Sequence, residues 1–392
     1  MDGQVKKFKI VAAGVHTIDY VTDGVTPELS AGKNLSRVGP MRTHPGGIGN
    51  GLPVAAKLFG DGNVGCVTLL CDDANGKDFF AFMEENGVDT GGVLWNTQLP
   101  PDKVYTVLGP DGKPTHIKPS DLSTGMSFVN VDIVNKDPLI FYSGGANNVF
   151  SREHVNMDYV AQAEAFVVSY GTLLPALDAE NGAEMRNLLH DARQRGVLTM
   201  LDTHSIPGAD YTVLNEPLKE VDIFGCNLNE ARSITGLGDD ARAPELLAAL
   251  ADKMEVDGSR ARLVAMTRKE QGAALAYFKP GEKSPVAVVE IPACEVEVVD
   301  GTGAGDTFKM GLMAYIVEHR KEFEAGTMNL EEAGQFANTT AASYISGRGI
   351  ENVRSYAETE EAMKVHYAQK LRIQDSGLPI PERHTVRRTE KA

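Results

Sequence analysis

The sequence contains little cysteine and tryptophan, with four Cys and one Trp among 392 residues. No two cysteines form a CxxC spacing, and three of them lie within apolar runs; they are Cys66, Cys71, Cys226 and Cys294. The nine histidines likewise show no HxH or HExxH spacing. We therefore interpret the cysteines as reduced thiols of the core and expect neither a structural zinc site nor a histidine-based metal site.

The sequence also lacks a surplus of basic residues and any long apolar run. It has 38 Lys and Arg against 54 Asp and Glu, a formal net charge of -16. A nucleic-acid partner is therefore not expected, because phosphate backbones are bound by excess positive charge. No apolar stretch approaches the roughly 18 residues that cross a bilayer, and the first residues lack a signal-peptide pattern. We expect a cytoplasmic protein without membrane contact.

Glycine is abundant, with 40 residues, and 42% of the chain is hydrophobic, which is typical of a globular enzyme rich in tight turns. After Ala161, strand-like apolar runs alternate with amphipathic helical segments. This alternation predicts an α/β fold with a doubly wound, mainly parallel sheet flanked by helices. We assign residues 1–374 to one such domain and residues 375–392 to a polar tail. Short β-like runs at about 19–45 and 96–148 predict a small inserted β lid.

The segment Asp300–Asp306, DGTGAGD, lies between a β-branched strand and an amphipathic helix. Its small residues let the main chain approach a ligand closely, and the free N–H groups of a helix start favour an anion such as phosphate. Asp306 would stand in the first helical turn, where a carboxylate could take a proton from a hydroxyl held beside that anion. The structural alternative is a helix cap after a tight turn.

The run VVDGTGAGDTF closely resembles the C-terminal signature of the ribokinase-like (PfkB) carbohydrate kinases. The resemblance implies an ATP- and Mg²⁺-dependent phosphotransferase acting on a sugar hydroxyl, of a ribose-, fructose- or sugar-acid-like substrate. Asp306 would be the general base, and the anion hole would be formed by Gly303, Ala304 and Gly305. Main-chain oxygens of Asp300 and Thr302 would hold a monovalent cation such as K⁺.

The run HPGGIGNGLPVAAKLFG resembles the family's N-terminal signature, in which paired glycines approach the sugar. The family usually has Asn at the position of Gly51, whereas here Asn50 comes one residue earlier. GVHTIDYV and SGGAN resemble two further sugar-contacting segments. The substrate-binding residues implied by these segments are Asp19, Gly46, Gly47, Asn50 and Asn147.

The nucleotide side is indicated by three segments. CNLNEARSITG contains Asn227 and Glu230, which resemble the family's NxxE element; Glu230 would act on Mg²⁺ through water. The same spacing is also that of a helix capping box. MTRKEQGAAL implies ATP contacts by Thr267 and Gly272, with Lys269 where a glycine is common in the family. Asn338 falls where the family lines its adenine pocket.

Two other functions fit the same motifs. A nucleoside (adenosine-like) kinase would use the same base and would need an aromatic cradle, for which the candidates are Tyr20, Tyr105, Phe128 and Phe141. A non-catalytic sugar or nucleotide sensor would keep the fold without turnover. A lid with exposed strand edges also predicts a homodimer.

Overall fold

A computed structural model describes residues 6–23, 39–109, 113–131, 138–204 and 209–375 of the chain. The part of the tail beyond 375 and the lid stretch 24–38 lie outside these residues. The strands are β1 Phe8–Gly14, β2 His16–Asp23, β3 Arg42–Gly47, β4 Val64–Leu70, β5 Val88–Trp95, β6 Tyr105–Leu108, β7 Pro114–Ile117, β8 Met126–Val131, β9 Pro138–Ser143, β10 Ala163–Gly171, β11 Leu198–Thr203, β12 Ile223–Asn227, β13 Arg262–Thr267, β14 Ala273–Phe278 and β15 Ala287–Ile291.

The α-helices connect and cover these strands. They are α1 Ile48–Phe59, α2 Ala74–Glu85, α3 Met157–Val160, α4 Pro175–Gln194, α5 Asn215–Glu220, α6 Leu228–Thr235, α7 Ala243–Lys253, α8 Ala304–Glu318, α9 Arg320–Ala325, α10 Leu330–Ile345 and α11 Tyr356–Asp375. Short 3-10 turns lie at Asn96–Gln98, Pro119–Asp121, Gly145–Asn148, Arg152–His154, Tyr211–Leu214 and Lys269–Gln271. Within the described residues, no helix combines the length and the apolar character that crossing a membrane requires.

The main sheet has nine strands in the order β15-β14-β13-β12-β11-β10-β1-β4-β5. Pairing is parallel from β5 through to β13 and antiparallel at β13–β14 and β14–β15. Successive residues of β1 enter two different apolar clusters, Val11 and Ala13 on one face and Ile10 and Ala12 on the other. Both faces are thus covered, which confirms the predicted doubly wound α/β fold.

A second, four-stranded sheet in the order β3-β2-β8-β9 forms the lid. Its pairing is antiparallel except between β2 and β8. The lid strands begin at His16, slightly before the predicted start, while β6 and β7 of the predicted lid region form a separate two-stranded sheet. The lid thus projects from the point where β1 passes into β2.

The carboxyl ends of parallel strands meet at one edge of a sheet, and open α/β sheets bind ligands there. Tyr170 near the end of β10, Asp202 near the end of β11 and Asn227 at the end of β12 lie at this edge. Helix α8 packs against α1 and α10 over the same sheet, and its amino end faces the edge. The predicted glycine turn is thereby brought to the strand ends.

Candidate active site

Helix α8 begins directly at the glycine turn, and Asp306 lies in its first turn. Gly303 precedes the helix with a φ of 80°, in the left-handed region that favours glycine. A Cβ built on Gly303 would lie 3.1 Å from the Tyr344 hydroxyl and 3.2 Å from Cγ of Asn50. A Cβ on Gly305 would meet no atom within 4 Å. The amino end of α8 therefore opens onto free space at Gly305 and is closely packed at Gly303.

Three groups surround the carboxylate of Asp306. The amide Nδ2 of Asn50 and the hydroxyl of Tyr170 both donate to Oδ2, at 3.0 and 2.7 Å. The Nζ of Lys309 lies 3.6 Å from Oδ1. Burial, with the charges of Asp306 and Asp202, raises the pKa of Tyr170 well above its usual value, so the phenol remains a donor. Asp306 is therefore held in one orientation while 13% of its side chain stays exposed.

Lys309 connects this carboxylate to a second one at the end of β11. Its Nζ lies 2.6 Å from Oδ2 of Asp202, and the two side chains are only 10% and 3% exposed. Burial lowers the pKa of Lys309, but the neighbouring carboxylates, Asp202 first, outweigh that effect and raise its pKa overall. The site thus contains a protonated lysine between two carboxylates.

The lid supplies a polar row that includes Asp19. His44, Asp19 and Ser127 are paired across β3, β2 and β8. Oδ1 of Asp19 accepts hydrogen bonds from Thr17 and Ser127, each at 2.6 Å. Burial raises the pKa of Asp19, although these hydrogen bonds oppose the shift. This face of the lid therefore carries hydrogen-bonding groups.

The predicted aromatic cradle lies elsewhere. Side chains alternate along a strand, so Tyr20 faces away from Asp19, and it stacks on Phe128 with ring centroids 5.4 Å apart. Phe141 pairs with Phe128 on that opposite face. Tyr105 is buried, and its hydroxyl lies 3.3 Å from Nε2 of His154. None of these four candidates lies on the polar face that holds Asp19.

The polar row of the lid and the glycine turn face the same region of the molecule. Burial first, and then the charges of Asp306, Asp300 and Asp19, raise the pKa of Tyr344. Gly46 also approaches Asp19 closely, since a Cβ there would lie 2.3 Å from Oδ2. The structure thus brings the predicted base together with Asp19 and the paired glycines.

Two predicted sugar contacts have different surroundings from those expected. Asn50 is buried and its amide donates to Asp306. Asn147 is fully buried, its Nδ2 donating to the carbonyl of His16 at 2.8 Å and its Oδ1 accepting from the N–H of the same residue at 3.2 Å. In this arrangement Asn50 orients the carboxylate and Asn147 holds the base of the lid. Direct sugar contacts by either residue stay predictions.

The predicted site for a monovalent cation lies at the start of the glycine turn. The carboxylate of Asp300 accepts from the N–H of Thr302 at 2.9 Å and pairs with Arg42 of β3 at 3.2 Å. The N–H of Val299 donates to the carbonyl of Ile345 at the end of α10. The turn is therefore anchored to both the lid and a helix end, and its role in binding a monovalent cation stays a prediction.

The predicted nucleotide contacts surround the ends of β12 and β13. Asn227 and Glu230 form a capping box on α6, with hydrogen bonds of 2.9 and 2.7 Å. Thr267 pairs with Asn227 across the sheet. Gly272 has a φ of 85°, and a Cβ there would lie 2.0 Å from the carbonyl oxygen of Ile291. Lys269 has a φ of 52°, which explains why a glycine would be favoured at its position.

Asn338 of α10 lies nearby, with its side chain almost fully buried. Its Nδ2 donates to the carbonyl of Pro292 at 3.0 Å, and the hydroxyl of Tyr367 donates to the same oxygen at 3.0 Å. These bonds fix the segment that follows β15. A contact between Asn338 and adenine stays a prediction.

Three site residues were not predicted from the sequence: Tyr170, Asp202 and Lys309. Tyr170 and Asp202 each lie near the end of an apolar strand, a position shared with many residues that have no role in a site. Lys309 carried a stronger signal, because it is the only charged residue in the buried run from Thr307 to Val317 of α8. A lysine on the apolar helix that follows a predicted base indicates an internal ion pair.

Comparison with known proteins gives a consistent result. A model of the pfkB family of carbohydrate kinases matches residues 114–355. Fructokinase-1 of Oryza sativa subsp. japonica is 24% identical over 348 residues, covering 87% of this chain and 92% of its own length. Ribokinase of Haemophilus influenzae is 24% identical over 311 residues, covering 78% of this chain and 83% of its own.

Solved structures share the fold. Ribokinase of Arabidopsis thaliana, complexed with ribose and ATP, superposes with a TM-score of 0.65 at 21% identity, covering 91% of this chain and 98% of its own. A putative ribokinase II of E. coli in complex with ATP and Mg²⁺ gives a TM-score of 0.63 at 18% identity, covering 92% and 100%. At these identities the similarity concerns the fold, including the lid.

Proposed function

Since this chain belongs to the pfkB family and is a carbohydrate kinase, we propose that it transfers the γ-phosphate of ATP to a sugar hydroxyl with Asp306 as general base. The observation that carries the proposal is the carboxylate of Asp306, held by Asn50 and Tyr170 at the amino end of a helix. A base in that place stands beside the N–H groups that favour an anion, so proton acceptor and phosphoryl group would share one short segment.

In the proposed mechanism the sugar lies between the polar row of the lid and the glycine turn. Oδ2 of Asp19 and neighbouring polar groups would orient the sugar so that one hydroxyl faces Asp306. Asp306 would take the proton of that hydroxyl as its oxygen attacks the γ-phosphorus, and the bond to the β-phosphate oxygen would break in line. The N–H groups of Gly303, Ala304 and Gly305 would stabilise the charge on the transferred group.

The nucleotide would lie over the ends of β12 and β13, near Asn227, Thr267, Gly272 and Asn338. Mg²⁺ prefers oxygen ligands and retains water. No group of three or more His, Cys, Asp or Glu side chains forms a metal site among the residues that the structure describes. Glu230 is an oxygen donor at this edge, so it would hold the ion through water while the phosphates of ATP supply the direct ligands. Mg²⁺ would neutralise phosphate charge, and a monovalent cation such as K⁺ would bind at the main chain of Asp300 and Thr302.

The polar lid favours a sugar over a nucleoside. The row of His44, Asp19 and Ser127 offers hydrogen bonds, whereas Tyr20, Phe128 and Phe141 lie on the other face. The named relatives are a fructokinase and a ribokinase. We therefore expect the acceptor to be a ketohexose, a pentose or a related sugar acid.

The decisive experiment is an ADP-release assay with ATP, Mg²⁺ and K⁺ against pentoses, hexoses, sugar acids and nucleosides, using wild type and Asp306→Asn. Turnover on a sugar is expected, with a loss of about 10²–10⁴-fold in kcat for Asp306→Asn and unchanged ATP binding. Near-normal kcat in the variant would contradict the base assignment. Turnover only on nucleosides would favour the nucleoside kinase, and ATP binding without any turnover would favour a sensor.

We also propose that the lid forms a homodimer interface. Apolar side chains on one face of the lid are exposed, namely Phe128, Leu139 and Phe141, with exposed fractions between 45% and 59%. A contiguous apolar surface of this kind is costly in water and is usually covered by a partner. Light scattering should give twice the chain mass, and Phe141→Glu should shift the mass to that of a monomer. A wild-type protein that remains monomeric at micromolar concentration would contradict the proposal.

A further inference from the structure

Lys309 is a buried cation inside an otherwise acidic site. Its side chain runs over β12, so that a Cβ on Gly225 would lie 3.0 Å from its Cδ. Its ammonium group lies 2.6 Å from Oδ2 of Asp202, 3.6 Å from Oδ1 of Asp306 and 5.7 Å from the ring centre of Tyr170. Strand, helix and both carboxylates thus fix the position of the charge.

The charges around the pair come from several elements. Lys309 is influenced by Asp202 on β11, Asp306 on its own helix and Glu230 on α6. Cys226 on β12 is fully buried beside them, and burial raises the pKa of its thiol, so it adds no charge. From the lid and α10, Asp306 also faces Asp19 and Tyr344. Tyr170 on β10 completes the surroundings as a neutral donor.

Without Lys309, the carboxylates of Asp202 on β11 and Asp19 on the lid would act on Asp306 without the opposing charge of the ammonium group. Two further carboxylates at short range disfavour the ionised form of a third, and low exposure strengthens that repulsion. A base must be ionised before it can accept a proton. The fixed charge of the ammonium group offsets one of the two neighbouring carboxylates.

We propose that Lys309 is a built-in counter-ion that keeps Asp306 ionised beside Asp202 and Asp19, and thereby sets the lowest pH at which the enzyme works. The proposal rests on the proposed role of Asp306 as base. Lys309 is then a positioning residue, because it acts through Asp306. Its role differs from that of a lysine that binds the transferred phosphoryl group, which would affect turnover equally at every pH.

The test is the pH profile of kcat/KM for a set of charge variants, with ATP, Mg²⁺ and the sugar that turns over fastest in the panel. Losing a cation favours the protonated carboxylic acid, so Lys309→Met should move the acidic limb up by about 1–3 pH units. Losing an anion has the opposite effect, so Asp202→Asn should move the limb down. The double variant Lys309→Met/Asp202→Asn removes one charge of each sign and should return the limb towards the wild-type position.

Asp202→Asn and the double variant keep the test valid even if Lys309→Met does not fold. Lys309→Met leaves Asp202 buried without its partner and should lose stability, whereas the double variant removes both charges. A loss of kcat/KM by the same factor at all pH values, with an unmoved limb, would overturn the counter-ion role. An unmoved or raised limb in Asp202→Asn would also overturn it. Failure of the base assignment itself would appear separately, as near-normal turnover of Asp306→Asn.

Discussion

Substitution of Gly305 by alanine should separate stability from activity. Gly305 lies in the first turn of α8, its φ is not in the left-handed region, and a Cβ there would meet no atom within 4 Å. The new methyl group therefore causes no clash within the protein. It would project into the open space at the helix end, which is where the transferred phosphoryl group is proposed to bind.

The two effects can be estimated separately. Alanine is favoured over glycine in a helix by up to about 1 kcal/mol, so the free energy of unfolding should stay equal or rise by that amount. For a chain of this length the rise corresponds to about 1 °C in Tm. Loss of one anion-hole donor typically costs about 10²–10³-fold in kcat, and a methyl group that keeps the phosphoryl group away from the N–H should cost a similar factor.

Gly303→Ala is the matched variant in the same turn. Its φ of 80° and the short distances to Tyr344 and Asn50 mean that it should lose stability as well as activity, with about 1–2 kcal/mol from the left-handed conformation alone. Thermal unfolding and the ADP-release assay on both variants test the reasoning. If Gly305→Ala kept kcat within twofold of wild type, the phosphoryl group could not bind at this helix end. A clear loss of stability in Gly305→Ala would contradict the open space described at Gly305.

Two further predictions concern the residues around the base and the lid. Asn50→Ala removes a hydrogen bond to the carboxylate of Asp306, and such a bond is worth about 1.5–3 kcal/mol. We therefore expect kcat to fall by about tenfold or more while KM for the sugar changes little. A rise in KM with unchanged kcat would instead make Asn50 a sugar ligand. Burial lowers the pKa of His16 to about 3, far below the value of about 6.5 in an unfolded chain. The unfolded state therefore binds more protons between these values, and stability should fall as pH drops from 6.5 towards 3, by up to about 1.4 kcal/mol per pH unit. Denaturation between pH 7 and 4 should show a weaker dependence for His16→Gln, and equal slopes would contradict the assignment.

Much of the fold could be predicted from the sequence because it depends on periodicity. The alternation of apolar strands and amphipathic helices after Ala161 is a local pattern, and it defines a parallel sheet covered on both faces. The short β runs before it likewise predicted a lid. The separation of β6 and β7 from the lid sheet could not be predicted, because their alternating pattern would fit either sheet, and only the structure shows that they pair with each other.

The candidate site was predictable only where its residues share a short segment. Asp306 and the glycine turn lie within seven residues and have a distinctive pattern. The contacts of Asp306 with Asn50 and Tyr170 join residues 256 and 136 positions apart, so no spacing rule could have related them. The capping box of Asn227 and Glu230 has the same spacing as a functional pair, and the structure contains the capping bonds.

Two of the connections between the lid and the main body lie side by side, which has a mechanical consequence. Val15 alone separates β1 from β2, Gly47 leads directly into α1, and the N–H of Ile48 donates to the carbonyl of Val15 at 2.8 Å. These two connections of the lid therefore meet at one place, and a hydrogen bond joins them there. Asp19 lies four residues beyond Val15, about 13 Å along an extended strand. A rotation of about 10° would move its carboxylate by about 2 Å on this lever arm, enough to make or break a hydrogen bond while Asp306 on α8 stays in place.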